Sequence, residues 1–395
     1  MSAASPGAAV RLFVGKGGAG RTTLAAATAV ALAAAGRRVL LASLDQAHAL
    51  SDVLDRPVGR GTETRIGGGL DAVEIDTLGL LEQRYRGLIA LLAVAGSHDH
   101  GDRFTDLAPE ELTGLPGVED LLGLGEIVRL AGEGRWDVVV VDCPPTADAL
   151  RTLALPGTVT GYVERLWPQH RRVAAATSSD PRAAFAAALV DRVVDGADAA
   201  ARLLADRDRT ALRVVSAPGR IAAAETRRVL SAAALTGLRV DAVIMNNSAR
   251  QDDPMAESRV DAAPVLAAAR AGTEPIGWDA LAALAASVYP EAGGDPVDPV
   301  DPAGTAAAEP SVRVTRESGS GDVESVYAMR MHLPVVDPGT LTLGRVEDDL
   351  LVGADGRRRR IRLASVLRRC TVTGADFDGT DLVVRFVPDP AVWPQ

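Results

Sequence analysis

The stretch VRLFVGKGGAGRTTL, at residues 10–24, decides the fold class of this 395-residue chain. Its apolar run at residues 10–14 predicts a short buried β-strand, and the alanine-rich segment after the glycines predicts a helix that extends to about Ala35. Gly36 fits the end of that helix, because glycine readily adopts the left-handed conformation found there. Strand, glycine-rich loop and helix in this order are typical of a phosphate-binding loop in an α/β protein.

The glycine-rich loop, GKGGAGRTT at residues 15–23, matches the spacing G-x-x-x-x-G-K-[ST] except that Arg21 takes the place of the lysine. Such glycines let backbone N–H groups face phosphate oxygens, the helix N-terminus adds partial positive charge, and a threonine hydroxyl ligates Mg²⁺. We therefore expect Thr22 to bind Mg²⁺. The alternative is a glycine-rich turn without a ligand. The residues expected to hold the nucleotide are Gly15, Gly17, Gly18, Ala19, Gly20, Arg21, Thr22 and Thr23.

One residue of this loop is unusual for the whole chain. Of the 42 basic residues, Lys16 alone is a lysine, and all the others are arginines. So strong a bias indicates a GC-rich genome, and a lysine that survived it by chance could stand anywhere. Its place inside the loop favours a functional role for Lys16.

Other apolar runs extend the α/β pattern along the chain. A strand that follows the first helix in this way indicates a right-handed crossover in a parallel sheet. Helices are predicted at residues 222–235, in an insertion at about 78–132, and at residues 181–205. For the helix at 181–205, packing on the sheet and a partner-binding groove both stay open. The predicted strands are residues 38–43, 136–141, 212–216 and 242–245.

Two of the predicted strands lead directly into a carboxylate. Asp45 follows the strand at residues 38–43, and Asp142 ends the strand at residues 136–141. In α/β sheets, ligands bind at the carboxyl ends of the strands. Both acids are therefore candidates for nucleotide chemistry.

The glycine-rich loop at residues 15–23 is followed by the segments SLDQAHALSD at residues 43–52 and DCPPTADALR at residues 142–151. In this order, the three motifs resemble the ArsA-type arsenite-pump and tail-anchored-protein-targeting ATPase family, within the deviant Walker A group of P-loop proteins (the SIMIBI class). The resemblance covers about residues 8–250. In that group a lysine after the first glycine reaches across a homodimer to the partner's nucleotide, which implies this role for Lys16. The segment SLDQAHALSD at residues 43–52 resembles the family's switch I, D-P-A-H-S-x-S-D. It implies that Asp45 orients the attacking water, whereas a histidine such as His48 is by itself more typical of a structural role.

The third motif, DCPPTADALR at residues 142–151, is similar to the family's switch II, D-T-A-P-T-G-H-T-L-R. By this resemblance Asp142 is the Walker B acid that holds Mg²⁺, partly through water. Asn246 follows the strand at residues 242–245 and matches an asparagine that reads adenine in the family. The resemblance thus implies ATP and Mg²⁺ as the cofactors.

The chain departs from the family pattern in two of these motifs. Arg21 has a planar fork rather than the point charge of lysine, Ala147 replaces a glycine whose backbone approaches the γ-phosphate, and Asp148 replaces a histidine. The sequence therefore supports nucleotide binding more strongly than hydrolysis. The zinc-binding C-x-x-C pair of the targeting branch is missing, and Cys143 and Cys370 do not supply the several cysteines of the arsenite branch. We expect neither zinc nor arsenite to bind.

The last quarter of the chain predicts a second domain. Residues 290–325 are rich in Pro, Gly, Asp and Ser, which predicts a flexible linker between a P-loop domain at 1–289 and a β domain at 326–395. Asp355-Gly356 is a hairpin turn signal. The β domain resembles the α-crystallin domain of small heat-shock proteins. Its predicted strands, which favour a small all-β sandwich, are residues 326–333, 341–346, 350–352, 358–363 and 382–387.

Charge and hydropathy exclude several classes of function. The net charge of −10 argues against a general affinity for nucleic acid or for an anionic membrane. The four arginines at residues 357–360 suggest an anion-binding patch, but their place after the hairpin turn favours a solvated face. The N-terminus lacks the pattern of a signal peptide, and no apolar run reaches the roughly 18 residues of a membrane span. We expect a cytoplasmic protein.

The sequence thus predicts a parallel-sheet P-loop NTPase domain with helical insertions, followed by a small all-β sandwich. The favoured function is a Mg²⁺-ATP-hydrolysing homodimer whose nucleotide state is coupled to a protein client or a membrane-protein partner. Two alternatives stay open. One is a nucleotide sensor with little or no hydrolysis, and the other is a chaperone-like protein that acts through its β domain.

Overall fold

The computed structural model describes residues 7–94, 107–248, 263–289 and 312–393. The chain divides into two compact units. As far as the described residues extend, the first unit comprises Met1–Val14, Arg21–Arg209 and Glu274–Ala285, and the second comprises Gly15–Gly20, Thr210–Thr273 and Ala286–Gln395.

The first unit contains a mostly parallel sheet in the order β3-β4-β2-β5-β1. Strand β2 pairs in parallel with β4 and β5, and β1 pairs in parallel with β5, whereas β3 is antiparallel to β4. Every residue of β2 and β5 is buried, as expected for parallel strands covered on both faces. The predicted α/β fold and its first three strands are confirmed. The strand bounds are β1 Ala9–Gly15, β2 Val39–Ser43, β3 Thr64–Gly67, β4 Leu70–Glu74 and β5 Val138–Asp142.

Helices surround this sheet, and several match the sequence pattern. The first helix is confirmed, and Gly36, with a φ of 84°, follows its C-terminus. The helix predicted at residues 181–205 is α7, which begins after Asp180, whose carboxylate accepts the Arg182 N–H. The predicted insertion contains α3 and α4, and its residues 95–106 lie outside the described ones. The bounds are α1 Arg21–Ala34, α2 Leu50–Leu54, α3 Thr77–Val94, α4 Val118–Gly132, α5 Thr146–Leu166, α6 Gln169–Ala176 and α7 Pro181–Ala205.

The second unit begins with three parallel strands in the order β6-β7-β8. They are β6 Thr210–Ser216, β7 Val240–Met245 and β8 Val265–Ala267, with helix α8, Arg220–Thr236, between the first two. The strands predicted at residues 212–216 and 242–245 and the helix predicted at 222–235 are confirmed. Helix α9, Gly277–Val288, comes next along the chain, and most of it belongs to the first unit.

The C-terminal part of the second unit has two antiparallel sheets around a shared core, as predicted for a sandwich. Their orders are β14-β15-β10-β9 and β11-β12-β13. The turn Asp355-Gly356 joins β12 to β13 with φ values of 50° and 74°, which is the backbone of a two-residue hairpin turn. The bounds are β9 Val312–Ser318, β10 Val326–His332, β11 Thr342–Val346, β12 Asp349–Ala354, β13 Arg357–Arg362, β14 Cys370–Phe377 and β15 Asp381–Pro388, with a short helix α10, Ser365–Arg368.

Part of the predicted linker is a strand instead. Residues 312–318, inside the segment 290–325, form β9 and pair with β10. Most side chains of β9 are exposed, because it is an edge strand, so it lacks the apolar run that the prediction required. Residues 290–311 lie outside the described ones. Four further strands also escaped prediction, namely β3, β4, β8 and β14.

Helix α8 packs against the sandwich, and this contact corrects the interpretation of the arginine run. Leu235, near the end of α8, belongs to the buried apolar cluster of the sandwich. The Arg359 guanidinium donates to the Leu235 carbonyl oxygen at 3.0 Å, and the Ser231 hydroxyl hydrogen-bonds with Asp355 in the hairpin turn. The prediction that residues 357–360 form a solvated face is therefore wrong for Arg359. A cation at the C-terminus of a helix also interacts favourably with the helix dipole.

Among the described residues, no helix is both long enough and apolar enough to cross a lipid bilayer.

Candidate nucleotide-binding site

The loop Gly15–Gly20 connects β1 with α1, in the place where a phosphate-binding loop lies. Gly15 packs so closely that a β-carbon there would lie 2.6 Å from the Val215 carbonyl oxygen. Gly18 and Gly20 have φ values of 78° and 87°, which favour glycine. Lys16, Gly17 and Gly18 are exposed. The loop thus combines a tightly packed base with a tip that is open to an incoming ligand.

Asn246 lies directly after β7 and contacts the same loop. Its side-chain N–H donates to the Ala19 carbonyl oxygen at 2.8 Å, and its backbone N–H donates to the Ser216 carbonyl oxygen at 2.9 Å. A β-carbon on Gly20 would lie 2.2 Å from the Asn246 Nδ2 atom. Asn246 therefore supports the loop backbone in this structure, and its contact with adenine stays a prediction.

Arg21, the first residue of α1, does not extend into solvent. It is only 6% exposed, and its guanidinium joins Asp142 at the end of β5 to Asp45 in the loop after β2. Its Nε donates to Asp142 Oδ1 at 2.7 Å, and its Nη2 donates to Asp45 Oδ2. Burial by itself would lower the pKa of Arg21, but the two carboxylates outweigh it, so the pKa is raised. The fork of an arginine is the feature that lets one side chain hold both acids.

Asp142, the last residue of β5, is the best-buried acid of this cluster, with 1% exposure. Its Oδ2 accepts a hydrogen bond from the Thr22 hydroxyl at 2.8 Å and a longer one from the Ser43 hydroxyl at 3.4 Å. Burial raises the pKa of Asp142, while Arg21 and Thr22 act in the opposite direction. A hydroxyl and a carboxylate held side by side are oxygen ligands of the kind that Mg²⁺ takes in nucleotide sites. The pair fits the predicted metal.

Asp45 lies in the loop after β2, and its orientation is set by two further contacts. Its Oδ1 accepts from the Ala47 N–H at 3.0 Å, and its backbone N–H donates to the Ser43 hydroxyl at 3.2 Å. The predicted Mg²⁺ residues, Thr22 and Asp142, and the predicted water-positioning residue Asp45 are thus brought into one cluster by Arg21. The sequence did not predict these ion pairs.

Switch II continues from Asp142 into the start of α5. Ala147 lies in the helix and is not among the residues with positive φ, so its backbone does not require glycine here. Asp148 is 58% exposed and pairs with Arg151 at 3.4 Å. Its carboxylate is therefore partly neutralised by its own helix. The methyl group and the added acid are both accommodated in this conformation.

A cavity of about 330 Å³ is lined by Asp45 and its neighbours, by residues that follow Asp142, and by residues of α3, of α4 and of the loop before α4. Two hydrogen bonds join residues of its lining. Arg151 donates to Asp120 at 2.8 Å, and the Gln46 amide donates to the Thr77 hydroxyl at 3.1 Å. The cavity is lined by Leu44, Asp45, Gln46, Thr77, Pro116, Glu119, Asp120, Gly123, Pro144, Pro145, Asp148, Arg151 and Thr152.

Neither cysteine has the environment of a reactive thiol. Cys143, next to Asp142, is buried, and burial raises the pKa of its thiol. Cys370 is also buried, and its pKa is raised for the same reason. Both are free thiols in this structure.

With this geometry established, comparison with known proteins identifies the family. Residues 9–262 match the family model of the anion-transporting ATPases, the ArsA ATPase domain. The chain belongs to the ArsA ATPase family. Residues 324–386 match a second model, the HSP20-like domain found in ArsA, so the resemblance of the C-terminal sandwich to the small heat-shock domain is confirmed as well.

Two relatives of this ArsA ATPase family member match most of the chain, and a third matches part of it. Protein Rv2184c of Mycobacterium tuberculosis is 43% identical, with 98% of each chain covered. A putative arsenical pump-driving ATPase 1 of Aquifex aeolicus is 26% identical over 94% of this chain and 98% of its own. ATPase GET3 of Kluyveromyces lactis is 35% identical over 43% of this chain and 53% of its own length.

Proposed function

We propose that this ArsA family member binds Mg²⁺-ATP at the loop Gly15–Gly20 and hydrolyses it to ADP and phosphate. The observation that carries the proposal is the pair formed by the Thr22 hydroxyl and the Asp142 carboxylate, 2.8 Å apart, directly after that loop. Hydroxyl and acid together are the protein ligands that a P-loop ATPase supplies to its metal. Bound there, Mg²⁺ would neutralise charge on the phosphates.

The residues around the pair take the remaining roles. Loop amides and the α1 N-terminus hold the phosphates, and Arg21 exchanges its carboxylate partners for phosphate oxygens. Asp45 accepts a hydrogen bond from the water that attacks the γ-phosphorus and so orients it. The new bond forms between that water oxygen and phosphorus, and the bond to the bridging oxygen of ADP breaks. The proton that the water loses passes to an oxygen of the phosphate that forms.

Lys16 acts in this proposal on the nucleotide of a second copy. It is exposed at the loop tip, as a residue that crosses a homodimer interface must be. ATP would thereby draw two cytoplasmic copies together, and hydrolysis would release them. This cycle would drive a protein client or a membrane-protein partner, and the HSP20-like domain supports contact with such a client.

One observation favours a second candidate, a nucleotide sensor with little turnover. Arg21 is occupied by Asp45 and Asp142, so the cation of the loop and the water-positioning acid neutralise each other. Nucleotide must break this arrangement before Asp45 can hold water. If the exchange is incomplete, ATP binds without efficient hydrolysis.

Phosphate release separates the two candidates. The full-length protein and Asp45→Asn are compared for Mg²⁺-dependent phosphate release, while binding of labelled ATP is followed in parallel. We expect release to fall about a hundredfold in Asp45→Asn, because water positioning is lost. ATP binding should be kept, because the loop and the Thr22–Asp142 pair are unchanged and Arg21 loses one carboxylate that competes with phosphate. If the full-length protein binds ATP tightly but releases no phosphate above background, the nucleotide sensor is the correct candidate.

A further inference from the structure

Glu74, the last residue of β4, is a buried carboxylate that the proposed mechanism does not use. Its side chain is 3% exposed, and among the described residues its Oε1 atom has no hydrogen-bond partner. Two basic side chains approach its Oε2 atom without close contact, His48 with its Nδ1 at 3.4 Å and Arg60 with its Nε at 3.9 Å. Arg60 is largely exposed, so burial of this acid is poorly compensated. A group of this kind points to a task other than stability.

The backbone of Glu74 is fixed on two sides. Its N–H donates to the Gly59 carbonyl oxygen at 3.0 Å, and its carbonyl oxygen accepts from the Gly61 N–H at 2.8 Å. It also lies opposite Ser43 in the pairing of β4 with β2. Glu74 is thus a rigid point on the sheet that lies beside the loop of switch I.

His48 is the switch I residue that faces this point. Its φ of 52° is in the left-handed region, which a residue with a β-carbon adopts at a cost. Its N–H donates to the Asp45 carbonyl oxygen at 3.2 Å, which closes a turn over residues 45–48. The same small turn therefore sets both the position of the His48 ring and the direction of the Asp45 carboxylate.

We propose that Glu74 is a positioning residue for hydrolysis: it holds the His48 ring and, through the turn at residues 45–48, aims Asp45 at the attacking water. At 3.4 Å, His48 Nδ1 and Glu74 Oε2 lack hydrogen-bond geometry. A small movement of switch I completes this bond with the proton on Nδ1. The contact between Glu74 and His48 therefore shortens as the switch I loop moves to its catalytic position. The role in turnover rests on the proposed ATP hydrolysis.

The test uses Glu74→Gln, which keeps the shape of the side chain and removes its charge. Asp71→Asn is the matched control, because Asp71 lies on the same strand and accepts from Trp136 rather than contacting switch I. Amide hydrogen exchange of residues 44–50 is measured without nucleotide, and phosphate release and labelled-ATP binding are measured beside it. For Glu74→Gln we expect faster exchange in this segment, turnover reduced about tenfold and ATP affinity unchanged. Asp71→Asn should leave exchange of the segment and turnover as they are.

A second variant guards against misfolding of the first. In His48→Asn the backbone tolerates positive φ, because asparagine adopts it readily, while the ring is lost. Its effect on exchange should equal that of Glu74→Gln, and the double variant should be no worse than either single one. Exchange of residues 44–50 unchanged in both variants, or equally fast in Asp71→Asn, would overturn the inference. Absence of phosphate release by the wild-type protein would contradict only the proposed hydrolysis. Amide hydrogen exchange of residues 44–50 would still test whether Glu74 holds His48.

Discussion

Two buried arginine–aspartate clusters in this protein use the same groups in opposite ways. Arg213 and Asp241, on β6 and β7, form a two-bonded fork at 3.1 Å for each bond, and the Tyr289 hydroxyl lies 2.9 Å from Arg213. Arg21 instead divides its guanidinium between Asp142 and Asp45. Asp142 also accepts from the Thr22 hydroxyl.

The difference lies in what each acid can do next. Asp241 and Arg213 form a fully buried pair, and an exchange of partners would place a buried charge in a poorer environment. Asp142 and Asp45 are held by an arginine that directly follows an exposed, glycine-rich loop in the sequence, and an anionic ligand of that loop would compete for it. The first cluster holds the fold together, and the second is arranged for exchange.

The largest effect is expected at the closed cluster. Asp241→Ala leaves the Arg213 guanidinium buried without its carboxylate, so the free energy of unfolding should fall by about 3–5 kcal/mol. Chemical denaturation with and without nucleotide measures the loss. The double variant Arg213→Met, Asp241→Leu should recover most of it, because packed apolar groups replace the pair. A single variant as stable as wild type would remove the distinction between the clusters.

A smaller effect is expected at the open cluster. Arg21→Lys replaces the fork by a point charge that reaches one of the two acids, so the free energy of unfolding without nucleotide should fall by about 1–3 kcal/mol. With saturating Mg²⁺-ATP the difference from wild type should vanish, because either cation then faces phosphate. Thermal unfolding in both conditions measures this. A loss that persists with nucleotide would mean that Arg21 is a fixed structural residue like Arg213.

The smallest effect on stability is expected at Lys16, which is exposed and lies in neither cluster. Lys16→Ala should change the free energy of unfolding by less than about 0.5 kcal/mol. It should nevertheless lose ATP-dependent dimerisation, which light scattering after size-exclusion chromatography detects. A variant that dimerises with ATP and turns over normally would contradict the role of Lys16 in trans.

The sequence predicted those parts of the fold that carry a clear local pattern of apolar residues or glycines. Strands β2 and β5 are unbroken apolar runs, and the loop after β1 has glycines at fixed spacing. Edge strands β9 and β14 were missed because most of their side chains are exposed, so they carry no apolar pattern.

The sequence indicated three residues that the structure brings together, but not the contacts between them. Thr22 lies in the first turn of a helix, Asp45 lies just after a strand, and Asp142 ends a strand. Their roles toward a nucleotide stay predictions. The double ion pair of Arg21 depends on how far two loops stand apart in space, and no spacing along the chain reveals that distance. For the same reason the charge of Arg359 suggested solvent, whereas tertiary packing places it on a helix carbonyl.

The end of α8 inside the sandwich has a consequence for folding. Leu235 contributes to the sandwich core, and Asp355 and Arg359 bond to Ser231 and to the last turn of the helix. Helix and sandwich should therefore unfold cooperatively, as one segment of matched hydrogen-exchange protection. Truncation before the sandwich should expose the apolar end of α8 and make the remaining chain prone to aggregation. We therefore expect the sandwich to help keep the second unit folded.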